Sequence, residues 1–251
     1  YFPTVFWHYR EYLTKGKMSF GDDSCYVVER SDGELLSVNY FKPKYVELLA
    51  KIKEKEYLTI RDICKKTKFA IVDGPFGTQL HVSDYKKEGI PVIRVKNIGI
   101  NEFLGDDLVY IAKEKHQELC RSRVAKDDVI IAKTGATFGK ACLFPIEKFS
   151  EANMTASCCK ISIDPEKANP YFIAELFNSP IIHSQLERYS EKSAQPGFNL
   201  IELRKVLVPN IPIEEQYRIA ESIKNRKKLI NDLKLKITEE SNLMKEEIGV
   251  I

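Results

Sequence analysis

No Gly or Pro interrupts the chain between Pro212 and Gly249, and this uninterrupted run constrains the fold more than any other feature. Pro212-Ile-Glu-Glu-Gln216 puts a proline at a helix start and acids in the first turn, where the helix dipole favours them. Ile223, Ile230, Ile237, Met244 and Ile251 recur every seven residues, the spacing of a coiled-coil seam. The second seam position is mixed. Ile219 and Leu233 are apolar, Arg226, Glu240 and Glu247 are charged, and Leu229, Leu235 and Leu243 broaden the stripe. At ~1.5 Å per residue the helix runs roughly 50 Å, longer than a compact domain of this size needs. A long helix with an apolar stripe needs a partner helix, and Ile219, Ile223, Ile230, Leu233, Ile237 and Met244 are its predicted pairing residues.

From Ile60 to Ile213 the texture is different: short apolar runs separated by Gly, Pro, Asp and Asn, the punctuation of strands and loops. Ile90–Val95, Leu108–Ile111, Val129–Ala132, Ala141–Phe144 and Cys158–Ile163 are predicted strands. Lys113–Arg121 and Pro170–Tyr189 carry helical spacing, the latter broken at Ser179-Pro180. A further helix follows Pro43, with Val46, Leu49 and Ile52 on one face. Residues 1–36 show no sustained period. The expected class is a mixed α/β (α+β) globular domain with a long C-terminal coiled-coil-type helix. It divides into an N-terminal segment and helix (1–58), a central domain (59–212) and the long helix (213–251).

Several classes can be set aside. No run approaches the ~18 apolar residues of a membrane span. Tyr1–Trp7 lacks the basic flank and cleavage site of a signal peptide. With no initiator Met, the chain reads as a fragment continued from an earlier segment. The 6 cysteines form no C-x-x-C pair, so zinc-ribbon and thioredoxin spacings are absent and reduced thiols in the cytoplasm are expected. A net charge of +3 permits nucleic-acid binding without demanding it.

Catalytic spacings also fall short. Gly135-Ala-Thr-Phe-Gly139-Lys140-Ala141 resembles a phosphate-binding loop but is one residue short between its glycines and has Ala141 where a Mg²⁺-binding hydroxyl belongs. Asn169-Pro-Tyr-Phe172 resembles the base-holding loop of adenine methyltransferases but lacks the second proline, and fits a helix cap better. His8, His81, His116 and His183 form no paired metal motif. Asp84, Glu88, Asp127 and Asp128 lack the companion spacing of nuclease carboxylates. No metal site and no catalytic residue is expected.

A set of polar, basic loops remains. Gly74–His81 offers Thr78 and Gln79; Arg94, Lys96 and Asn97 follow the best strand; Lys133, Thr134, Thr137 and Lys140 flank two glycines, which a plain hairpin turn would also explain; Ser190–Asn199 offers Lys192, Ser193, Gln195 and Asn199. Gln and Asn suit adenine edges, Arg and Lys suit guanine, and Ser, Thr and Lys suit phosphates.

Ordered motifs sharpen this reading: Asp73-Gly-Pro-Phe-Gly-Thr-Gln-Leu80, Asp84-Tyr85, Gly89-Ile-Pro-Val-Ile-Arg94 with Asn97-Ile98, Asp128-Val-Ile-Ile-Ala-Lys-Thr-Gly135 with Gly139, Gln195-Pro-Gly-Phe-Asn-Leu200, and Val208–Ala220. From about Leu58 onward the chain resembles the target recognition domain and conserved spacer helix of type I restriction-modification DNA-specificity subunits. The resemblance implies a non-catalytic module that reads one half of a bipartite site in double-stranded DNA. It implies that the long helix acts as a ruler by antiparallel pairing with a second helix. Ser37–Tyr45 also resembles the lead-in to specificity domains in fused N6-adenine methyltransferases, which would make the N-terminal segment a remnant of a preceding methyltransferase part.

The implied partners are a DNA adenine methyltransferase subunit or domain, a restriction/translocase subunit, and a second specificity half or second copy joined through the long helix. No cofactor is expected in this chain; S-adenosylmethionine, ATP and Mg²⁺ would act in partner subunits. Two other readings stay open on the residues alone: a protein-interaction scaffold that uses the helix without DNA readout, and an endonuclease with an unrecognised site.

Overall fold

Short apolar runs of this kind form strands only when another layer covers them, and here they assemble into three small sheets packed on helices. The structure is a computed structural model that describes residues 43–190 and 197–249. In chain order the elements are α1 (Pro43–Lys53), β1 (Tyr57–Thr59), α2 (Ile60–Ile63), β2 (Ile71–Asp73), β3 (Ile90–Ile93), β4 (Val109–Ile111), α3 (Lys113–Glu118), β5 (Asp128–Ala132), β6 (Ala141–Leu143), β7 (Asn153–Met154), β8 (Cys158–Ser162), α4 (Pro170–Phe177), α5 (Pro180–Ser190), α6 (Leu200–Arg204), β9 (Leu207–Pro209) and α7 (Ile213–Gly249).

The central sheet has the order β2-β8-β5-β6, with every neighbouring pair antiparallel. Every residue of β5 and β8 is buried, so neither strand shows the buried-exposed alternation of a half-covered one. Val129, Ile131, Cys159 and Ile161 point to one side, against Phe172, Ile173 and Phe177 of α4, Ile182 and Leu186 of α5, and Leu203 of α6. Ile130, Ala132, Cys142 and Cys158 point to the other, against Ile93, Ile98 and Met154. That second layer is the sheet β4-β3-β7, in which β3 runs antiparallel to β4 and parallel to β7. Asp128 and Lys160 are the charged intrusion into this core. They pair at 2.7 Å, and Asp128 also accepts from Ser162 Oγ and from the Ala125 amide at 2.9 Å.

Two expected boundaries move. The expected break at 58/59 falls inside β1, which pairs with β9 through Tyr57 to Pro209 and Leu58 to Val208, so residues 57 and 58 are sewn to the end of the central domain. Tyr45 of α1 is buried, and Lys44 lies 3.8 Å from Glu187 on α5, so α1 packs on the domain too. The expected helix Lys113–Arg121 ends at Glu118 and continues as a 3-10 turn over Cys120–Ser122. The break at Ser179-Pro180 separates α4 from α5, and Asn169 caps α4 by accepting from the Phe172 amide at 3.0 Å.

The long helix begins inside the domain. Gln216 is buried, accepts from the Asn169 amide at 3.0 Å and donates to the Ile211 carbonyl at 2.8 Å. Ile219, expected to pair with another helix, packs instead on the core beside Phe172 and Ala220. Lys224 sits over the Tyr171 ring at 4.7 Å, and Lys227 reaches Glu175 at 2.6 Å. Ile223 is half-buried, and past this anchor Ile230, Leu233, Ile237 and Met244 are all exposed.

Candidate nucleic-acid interface

The end of the central sheet gathers the predicted loops around one turn, Thr155–Cys158. Lys133–Lys140 joins β5 to β6, and the Lys133 amide donates to the Ser157 carbonyl at 2.8 Å. Gly135 and Gly139 take φ of +93° and +80°, left-handed conformations that suit glycine. Gly74 leads out of β2, with its amide 3.0 Å from the Cys158 carbonyl. A Cβ on Gly74 would lie 2.1 Å from the Thr155 carbonyl oxygen, so no side chain fits there. β3 ends beside the same turn, with the Thr155 amide 3.0 Å from the Ile93 carbonyl. A bridge between Thr134 and Gly197 and an edge contact between Phe138 and Phe198, 5.7 Å between ring centres, bring the segment ending at Asn199 against the Lys133–Lys140 loop.

Within this convergence the predicted contact residues separate by what already holds them. Thr78 and Gln79 are exposed, and Gln79 Oε1 accepts from the Phe76 amide at 3.2 Å, leaving its NH₂ group outward. Thr134, Thr137 and Lys140 are half-buried, and Lys140 forms no ion pair among the described residues. Lys133 lies 3.1 Å from Asp73 Oδ2, and Arg121 lies 2.8 Å from Asp73 Oδ1. Burial raises the Asp73 pKa, but the hydrogen bond and charge of Lys133 and the charge of Arg121 outweigh it and hold the carboxyl below its ordinary range. Arg94 and Lys96 both pair with Asp107, Arg94 at 3.6 Å from the carboxylate.

Two predicted contacts have structural duties. Asn97 is fully buried: its Oδ1 accepts from the Arg94 amide at 3.0 Å, and its NH₂ group donates to the carbonyls of Leu104 at 3.0 Å and Asp106 at 3.1 Å. It shapes the loop that presents Arg94 and Lys96 and has no group left for DNA. Asn199 caps α6, accepting from the amides of Ile201 and Glu202 at 2.9 Å, so only its NH₂ group is available. Lys192, Ser193 and Gln195 lie outside the described residues.

Arg121 was not singled out from sequence, because its partner Asp73 lies 48 residues away. The run Lys65-Lys66-Thr67-Lys68, also not singled out from sequence, lines a cleft at the opposite end of the sheet; three cations within four residues are the signal that points to it. Three of the four carboxylates weighed as nuclease ligands are paired with cations, Asp84 with Lys115 at 3.9 Å, Asp127 with Lys65 at 3.3 Å and Asp128 with Lys160, while Glu88 is exposed. Among the described residues no three His, Cys, Asp or Glu side chains are grouped to hold a metal, and no helix is long and apolar enough to cross a membrane. Buried His116 is approached by Asn153 at 3.2 Å and by Glu151 at 3.1 Å, while Ser122 Oγ bonds Asn153 at 2.7 Å and not the imidazole. These side chains staple β7 to α3; they are not set up as a nucleophile and base.

Residues 52–240 match the family model described as the type I restriction modification DNA specificity domain. The chain belongs to this family. Among curated proteins, the Escherichia coli type I restriction enzyme EcoBI specificity subunit is 29% identical over 137 residues, 55% of this chain and 28% of that protein. Among solved structures, the HsdS subunit from Thermoanaerobacter tengcongensis superposes with a TM-score of 0.51 at 19% identity, covering 71% of this chain and 43% of that one. The type IIG restriction endonuclease BpuSI superposes with a TM-score of 0.52 at 10% identity, covering 75% and 28%. The chain thus spans less than half the length of each of these relatives, and at such identities the structural likeness speaks for the fold. As a member of the specificity-domain family, the chain has its exposed loop tips and its long helix on one framework, with the Thr155–Cys158 turn as the meeting point of the loops.

Proposed function

We propose that this chain reads one half of a bipartite DNA site for a type I restriction-modification complex, and that methyl transfer and cleavage are carried out by partner subunits. The observation that carries the reading is the convergence of the Gly74–Leu80 loop, the Lys133–Lys140 loop and the Gly197–Asn199 segment on one end of the central sheet, in a member of the specificity-domain family.

The hydrogen-bond inventory narrows how the loops would read DNA. With its oxygen engaged by Phe76, Gln79 presents a donor pair, which suits guanine O6 and N7 or a phosphate better than the donor-acceptor edge of adenine. Asn199 is in the same position. Lys140, the cation of its loop without an ion pair among the described residues, takes a phosphate, while Thr78 and Thr137 add hydroxyls. Arg94 and Lys96 reach DNA by exchanging Asp107 for phosphate oxygens, a rearrangement confined to an exposed loop.

Beyond its anchor on the domain, α7 presents Leu229, Ile230, Leu233, Ile237, Leu243 and Met244 to solvent. Burying this stripe against a second specificity half or a second copy would fix the distance between two reading heads. A DNA adenine methyltransferase and a restriction translocase are the remaining partners of this proposal, with S-adenosylmethionine, ATP and Mg²⁺ in their sites and the cytoplasm as the compartment.

Selection from a randomised duplex pool, with and without a partner methyltransferase, tests the reading. Enrichment of one short motif by the chain alone is the expected result, and Gln79→Ala with Lys140→Ala should weaken or relax it. A folded chain that enriches nothing in either condition would favour the scaffold reading.

A further inference from the structure

A concentration of positive charge lies away from the loops. Arg61 on α2, Lys65, Lys66 and Lys68 in the turn that follows, and Arg204 at the end of α6 line a single cleft of about 560 Å³ together with Thr67. No carboxylate is among its lining residues. Asp127 engages Lys65 at 3.3 Å, while Asp62, the nearest acid in sequence, accepts from the amide and hydroxyl of Thr59 at 2.8 and 2.6 Å and forms no ion pair with Arg61 among the described residues. Arg204 is held without an acid, by donating to the carbonyls of Leu200 and Ile71 at 3.3 Å.

The cleft has a fixed shape. The Lys65 amide donates to the Ser162 carbonyl at 2.9 Å, Thr67 to Lys65 at 2.9 Å, and Ala70 to Thr67 at 3.3 Å, so the basic turn is bound to the end of β8. It is also distant from the reading loops. Asp127 and Ser162 mark one end of the central sheet and Lys133 and Ser157 the other, separated by the five residues of β5, about 15 Å of extended chain.

Five cationic side chains line the one cleft, and only Lys65 among them is paired with a carboxylate, so an anion with several charges complements it. We infer that the Arg61–Lys68 and Arg204 cleft is a phosphate-binding site, distinct from the recognition loops, that takes adjacent phosphate groups. Three properties favour phosphate as the ligand chemistry. The Arg61 guanidinium offers a bidentate donor pair, Arg204 and the lysines add positive charge, and the concave volume is that of a small-ligand pocket. Such phosphates come either from DNA backbone outside the half-site or from a free polyphosphate. The site stands whether or not the loops read DNA.

Calorimetric titration of the 251-residue chain with inorganic tripolyphosphate at moderate salt is the test. The wild-type chain should bind. A variant carrying Arg61→Ala, Lys66→Ala and Lys68→Ala, all at exposed positions, should bind at least tenfold more weakly with an unchanged melting temperature. A charge-matched control, Lys228→Ala, Lys234→Ala and Lys236→Ala on the exposed face of α7, should bind as wild type does. If the phosphates are those of DNA, the cleft variant also reduces the slope of log K against log salt by up to about 2.7, at ~0.9 per phosphate contact. If they belong to a free polyphosphate, that slope is unchanged. No binding by the wild-type chain, or equal losses in cleft variant and control, overturns the inference. The Gln79→Ala and Lys140→Ala changes, which report on DNA reading, should leave tripolyphosphate binding intact, so the two readings fail separately.

Discussion

Lys133 Nζ lies 3.1 Å from Asp73 Oδ2, across the end of the strand that separates their own two strands. Arg121 occupies the other oxygen at 2.8 Å, so a carboxylate with two cations closes the edge of the loop cluster. Asp73 titrates below its ordinary value of 3.8, so its contribution to stability is present in full above that value and is lost as pH falls through the lower folded value. Wild type should therefore lose stability more steeply than Asp73→Asn below about pH 4 and be the more stable of the two near neutrality, by about 1 to 2 kcal/mol. Urea denaturation at a series of pH values measures both.

The same pair sets the electrostatics of DNA binding. With Asp73 in place, Lys133 and Arg121 share one carboxylate and carry a single net positive charge, so Lys133→Ala alone should flatten the salt dependence by no more than about 0.9. Asp73→Asn releases both cations and should steepen the slope of log K against log salt by about 1 to 2. A salt titration that shows the reverse order would mean that Lys133 leaves Asp73 when DNA arrives.

Asn97→Ala should act on stability and not on reading. It removes three part-buried hydrogen bonds that hold the loop together, a loss of about 1 to 3 kcal/mol. Chemical denaturation reads the loss, and the DNA motif selected by the residual folded protein should be unchanged.

Asp128 and Lys160 should be asymmetric in their response. Lys160→Met leaves the buried Asp128 carboxylate with Ser162 Oγ and the Ala125 amide but without its cation and should cost about 3 to 5 kcal/mol. Replacing both residues together with apolar side chains should recover part of that loss, which a double-mutant cycle would measure.

The long helix should divide into two functional zones. Ile219→Ala should lower the stability of the domain by about 2 kcal/mol, because Ile219 packs on its core. Leu233→Lys with Ile237→Lys should leave domain stability alone and abolish association through the helix. Light scattering and thermal melting on the two variants separate these effects.

The helix illustrates how far periodicity reaches. Seven-residue spacing located a continuous helix and its apolar stripe, yet it assigned Ile219 and Ile237 to the same seam. Only the docking of Gln216 and Ala220 beneath α4 places Ile219 inside the domain. The loops divide in the same way. Gly135 and Gly139 marked a turn between two strands, and the bridge from Thr134 to Gly197 depends on where the chain returns more than sixty residues later.

Local order was thus determined by the sequence alone: the β-branched and cysteine-rich runs of β5 and β8, the cap at Asn169, the break at Ser179-Pro180 and the uninterrupted helix after Pro212 all follow from interactions within a few residues. Tertiary structure decided which polar groups remain available. Asp73 compensates Lys133 from 60 residues away, Asp107 draws in Arg94 and Lys96, Asn97 is buried, and Arg204 joins Lys65 to Lys68 in one cleft. The physical reason is range: helix and strand propensities act between neighbours in the chain, whereas charge compensation and burial act over a few ångströms in space, between residues that only the fold brings together.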